Sequence, residues 1–145
     1  MGKSALNWST DAKDVMVLEL QALIHLADGK NQEAVALLEQ AVEIEYAMPR
    51  RFGPPWPPKP SHELFGEVLA DLGDHAGAKG QFAVALELAN GRSQSLLGFA
   101  RAASALDHSE DAERAYATLR NNWSAADADF APLQEVKDKT PMAKR

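Results

Sequence analysis

Apolar residues recur at three- and four-residue steps along most of this chain. Val15, Leu18, Ala22 and Leu26 form the first such stripe and predict an amphipathic helix. Thr10 reads as its cap, with Asp11 and Asp14 in the first turn. Gly29 reads as a C′ glycine that ends it. Asn31 then reads as the N-cap of a second helix, whose stripe is Ala34, Leu38, Ala41 and Ile44. Glu33 sits in that helix's first turn, where the helix dipole favours a negative charge.

The same two-helix pattern returns twice. Residues 59–92 and 93–126 align without gaps at a shift of 34, which pairs Leu72 with Leu106, Ala78 with Ala112 and Phe82 with Tyr116. Residues 15–48 are a third copy, displaced by 44, with Gly29 on Gly73, Ala34 on Ala78, Leu38 on Phe82 and Ala41 on Ala85. The ten-residue excess is the Pro-rich insertion 49–58. His75 and Ser109 take the cap position of Asn31 in the later copies. The small residues Ala34, Ala78 and Ala112 are expected where the helices of a pair cross, and Leu38, Phe82 and Tyr116 between neighbouring pairs. After the third copy, Phe130, Leu133 and Val136 give residues 127–145 a short capping helix, followed by a tail expected to be disordered.

This spacing resembles the tetratricopeptide repeat (TPR), whose 34-residue motif carries small residues, a turn glycine and an aromatic at fixed places. Gly66, Gly73, Ala78, Phe82 and Ala85 match it in the second copy. Ala100, Ala112 and Tyr116 match in the third, and Ala22, Gly29, Ala34 and Ala41 in the first. The family's tryptophan is replaced by Leu18, His62 and Leu96, and Asp107 stands where the third glycine belongs. The stretch EYAMPRRFGPPWPPKPSHELFGEVLADLG is similar to the C-terminal repeat region of longer bacterial TPR proteins of undefined activity. The resemblance implies a single all-α domain: a right-handed α-solenoid of three helix pairs plus a C-terminal cap. It also implies a binding role without catalysis, and a groove lined by the first helix of each pair.

Composition narrows the function. Ala occurs 26 times and Leu 17, against 12 for Val, Ile and Thr together, which favours helix over strand. The absence of cysteine excludes disulfides, thiolate metal sites and a cysteine nucleophile. The net charge of −6 argues against nucleic acid as a partner. No run approaches the length of a membrane span and the N-terminus has no apolar signal core, so no membrane association is expected. Cytoplasm is the expected compartment unless the chain is a piece of a longer exported protein. Leu6 spoils a myristoylation pattern at Gly2, and Gly2-Lys3-Ser4 lacks the glycine loop of a phosphate site. The sequons at Asn7 and Asn122 read as coincidental without a secretion signal.

Three constellations are candidates for chemistry. Mapping the family's groove positions gives Glu19, Leu23, Leu26, Glu63, Glu67, Asp71, Gln94, Leu97 and Arg101 as binding residues, with Trp56 added from the insertion. Some family members clamp a peptide's terminal carboxylate with Lys and Asn at these positions. Here Glu63 and Glu67 would repel it, so an acidic groove selecting a basic or amide-bearing protein or peptide is expected. The bland alternative is a solvated acidic helix face. The insertion reads as a semi-rigid connector with Phe52 and Trp56 packed on the helices. Folding over one mouth of the groove and docking to an outside domain are the other readings. His62, Glu63 and Glu67 do not reproduce a metal-binding spacing, and His25 reads as a hydrogen-bonded packing residue; neither a metal nor a cofactor is expected. A homodimer burying an end face or the groove is the main alternative to partner binding, and a hydrolytic or metal-binding acidic cluster the remote one.

Overall fold

The structure, a computed structural model, describes residues 8–49 and 57–139. Phe52 and Trp56, the stretch 2–4, Asn7 and the tail 140–145 lie outside the described residues. Among the described residues, seven helices follow one another: α1 (Trp8–Ala27), α2 (Asn31–Ala47), α3 (Ser61–Asp71), α4 (His75–Leu88), α5 (Ser93–Ala105), α6 (Ser109–Asn122) and α7 (Ala131–Lys139). Each is paired with its successor, as α1–α2, α3–α4 and α5–α6, and each pair packs on the next.

The pairs close tightly because small side chains stand at the crossings. Ala34, Ala78 and Ala112 are all buried. Leu38, Phe82 and Tyr116 are buried four residues later on the same helices, where they fill the space between pairs. Phe82 shows how this works. A Cβ at Gly66 on α3 would lie 3.0 Å from its ring, and one at Gly98 on α5 only 2.2 Å from it. The ring therefore occupies the room that two missing side chains leave, and locks the second pair to the third. Two apolar clusters result, one over α1–α4 that also takes in Ala102 of α5 and one over α5–α7, with Phe99 packed against both.

The turn inside each pair repeats with its chemistry. Lys30, Asp74 and His108 donate their backbone N–H to His25, Leu69 and Ala103 respectively at 2.8–2.9 Å. These five-residue closures need a left-handed residue just before them, and Gly29, Gly73 and Asp107 supply it with φ of +75°, +86° and +58°. The caps fall one residue earlier than the sequence suggests. Lys30, Asp74 and His108 are the N-caps, and only Asp74 uses its side chain, accepting from Gly77 N. Asn31, His75 and Ser109 are first helical residues, and Thr10 lies inside α1, which begins at Trp8.

The first helices of successive pairs touch one another (α1 with α3, α3 with α5), whereas the second helices α2, α4 and α6 do not. An array whose units approach more closely on one side curves toward that side, so the first helices line the concave face. At the far end α7 lays Leu133 and Val136 onto α6 and turns Gln134, Lys137, Asp138 and Lys139 to solvent. Phe130 sits just ahead of α7 and meets the Trp123 ring edge-on at 5.0 Å.

Candidate functional site

The concave face is held together by carboxylates that reach from one pair to the start of the next. Ser61 and Ser95 occupy equivalent positions, in the first turns of α3 and α5. Ser61 Oγ donates to Glu19 Oε1 at 2.9 Å, and Ser95 Oγ donates to Glu63 Oε2 at 2.5 Å. Glu19 and Glu63 are themselves equivalent residues of α1 and α3. One hydrogen bond is thus used twice, each time fastening a first helix to the next first helix. The helix dipole favours a carboxylate beside these N-termini. At α3 a second one helps: Glu45, near the end of α2, accepts from Ser61 N at 2.6 Å.

The two junctions differ in their cations. Glu63 is 0% exposed, and Arg92, the N-cap of α5, grips it with both Nε (2.7 Å) and Nη2 (3.0 Å). Lys59 Nζ adds a contact at 3.3 Å and holds Glu67 at 2.6 Å. Burial pushes the Glu63 carboxyl up, but the bonds from Arg92 and Ser95 and the nearby Lys59 outweigh it and hold the pKa below the usual range. Position 58, equivalent to Arg92, is a proline. Among the described residues, Glu19 therefore has Ser61 but no guanidinium. Burial, reinforced by the charge of Glu45, pushes its pKa up to about 7.

This arrangement corrects the acidic groove expected from sequence. Glu19 and Glu63 are buried in the junctions and present no carboxylate to a partner. Glu67 is half-buried against Lys59. Leu97 is buried in the second cluster and Leu26 packs against the first. Leu23 (44% exposed), Asp71, Gln94 and Arg101 are open to solvent, and Arg101 is forked onto Glu135 of α7 with Nη2 at 2.6 Å. Tyr116 OH also donates to Glu135, at 3.0 Å; burial and that carboxylate push its pKa up to about 12. The accessible first-helix surface thus carries apolar, amide and mixed-charge groups.

The histidines also depart from expectation. His25 Nδ1 is buried without a hydrogen-bond partner among the described residues, not bonded as expected. His62 is buried on α3, with Nδ1 2.7 Å from Gln81 Oε1. Sequence reasoning missed Ser61, Ser95, Arg92, Lys59 and Gly98. The signal lay in the repeat register: the 44-residue shift aligns Glu19 with Glu63, and the 34-residue shift aligns Ser61 with Ser95.

No family model matches the chain, and no curated protein matches it. Solved structures do. The first TPR of Spaghetti (RPAP3), bound to the HSP90 peptide SRMEEVD, superposes with a TM-score of 0.68 at 16% identity, covering 88% of this chain and 91% of that one. The Sgt2 TPR domain from Aspergillus fumigatus gives 0.65 at 17% identity, covering 91% and 87%. With three helix pairs and a closing helix in matching arrangement, the chain has a TPR-like fold, an all-α helical-repeat solenoid.

Proposed function

We propose that this protein is a non-catalytic module that binds a peptide or protein segment along the concave face. The observation that supports this most is the pairing of a TPR-like fold with open first-helix residues Leu23, Asp71, Gln94 and Arg101. A neighbour of this fold is bound to a peptide. Leu23 offers an apolar contact, Gln94 an amide that can both donate and accept, and Arg101 a guanidinium shared with Glu135. The Glu63–Arg92 and Glu67–Lys59 pairs leave this face close to neutral, so the expected partner carries apolar side chains and little net charge, not a basic run.

The test is a randomised-peptide display selection followed by titration of the selected peptides. Leu23→Glu and Gln94→Lys should each weaken binding, by about tenfold, whereas Glu113→Ala on α6 should not. Selected peptides indifferent to both changes would remove the groove from the reading. Uniformly Lys- or Arg-rich selections would restore the acidic-groove expectation, with Asp71 as its remaining open carboxylate.

A further inference from the structure

The first and last helices of the stack are finished differently. At the C-terminal end α7 covers α6 and shows a polar outer surface. At the N-terminal end α1 shows an apolar stripe: Val17 is 52% exposed, Leu20 61% and Ile24 54%. The repeat register says what kind of surface this is. A shift of 44 carries these residues onto Ser61, Leu64 and Val68 of α3, which are all buried, the latter two in one cluster with Leu38 and Val42 of α2. The stripe is therefore a stacking face of the same kind as the one α3 presents to α2. Among the described residues nothing packs on it.

Charge singles out an occupant. The stripe runs Lys13, Val17, Leu20, Ile24, Asp28 at four-, three-, four- and four-residue steps, which keeps all five on one side of the helix and its first following turn. Lys13 and Asp28 are exposed at its two ends. Two such stripes crossing antiparallel about a point between residues 20 and 21 bring Val17 opposite Ile24 and Lys13 opposite Asp28, because each of these pairs is symmetric about that point. The twofold repeats every contact, as an isologous interface requires. A parallel pairing would oppose like charges. Continued head-to-tail stacking would set the apolar stripe against Gln134, Lys137, Asp138 and Lys139 of α7.

We infer that α1 is a self-association surface, and that two copies of this chain pair through Val17, Leu20 and Ile24 with antiparallel first helices. The interface is one helix wide and so smaller than a standard stable one; the dimer is expected to dissociate in the range of about 10–100 µM. The stripe faces away from the α2–α3 junction along the stack, so this association stands independently of peptide binding in the groove.

Sedimentation velocity across a concentration series tests it. The wild-type chain should show a monomer–dimer equilibrium. Leu20→Glu, at an exposed position beside the axis, should leave a monomer with an unchanged circular-dichroism melt. Lys13→Glu should raise the dissociation constant about fivefold through two symmetric like-charge contacts with Asp28. Adding Asp28→Lys should restore it, which only the antiparallel register predicts. A monomer at about 500 µM, well above that range, overturns the inference. So does a dimer that survives Leu20→Glu, a charge reversal that fails to rescue, or assembly beyond two copies.

Discussion

The two junctions of the solenoid use one design with one substitution, and that substitution sets the ionisation of their buried carboxylates. At the second, Ser95, Arg92 and Lys59 surround Glu63 and keep it charged. At the first, Ser61 reaches Glu19, but Pro58 stands where the arginine would be. Glu19 responds with a pKa near neutrality. The proline belongs to the insertion that separates the first pair from the rest. The first junction thus lacks, at that position, the cation that the second one keeps. An ion pair out of water is worth having only when its hydrogen bonds are complete, and only Glu63 meets that condition.

Removing the cation from the second junction should have the largest effect. Arg92→Ala leaves a buried carboxylate with Ser95 and one lysine, and should lower stability by about 3 kcal/mol in urea unfolding. Gly98→Ala attacks the same junction by sterics: its Cβ would fall 2.2 Å from the Phe82 ring, at a cost of about 2 kcal/mol. Glu63→Lys with Glu67→Lys, a natural probe of an acidic groove, would break this junction instead of reporting on a partner.

The first junction should show itself through pH. Glu19 has a folded pKa of about 7 against an ordinary value of 4.5, so between those values the folded chain holds more protons than the unfolded one. Its favourable contribution is complete below the ordinary value and is lost as pH rises through the folded value. Glu63 and Glu135 have lowered pKa values and act in the opposite sense, stabilising above the ordinary value and losing that contribution as pH falls. The stability maximum should therefore lie in mild acid. Glu19→Gln should remove the decline toward neutral pH and gain about 1 kcal/mol at pH 8. The smallest effect expected is from Pro58→Arg. It should move the Glu19 titration downward, read by carbon-13 carboxyl chemical shift, with stability changed by only about 0.5 kcal/mol.

The helices, their pairing and the buried Ala34, Ala78 and Ala112 were legible because periodicity and repeat spacing act over whole segments. The caps were read one residue late, since polar residues at helix starts look alike until backbone geometry separates them. The groove acids were misread for a different reason. Glu63 looks solvent-facing from its own helix, and its burial comes from Arg92 and Ser95, about 30 residues away. Asp107 shows the converse: the register fixes a left-handed turn residue even where glycine is replaced, and the backbone adopts it at φ +58°.

The Phe82 wedge has a consequence for how the molecule opens. α4 is packed against α5 more extensively than α2 is against α3, and among the described residues only the former interface sets a ring, Phe82, into the gap left by a glycine of the next pair, Gly98. In a nearest-neighbour array, the weaker interface marks where cooperativity breaks. Amide exchange should therefore divide the chain unevenly, with α1 and α2 releasing their protons as one early unit. The helices from α3 to α6 should exchange together and later, as a single block.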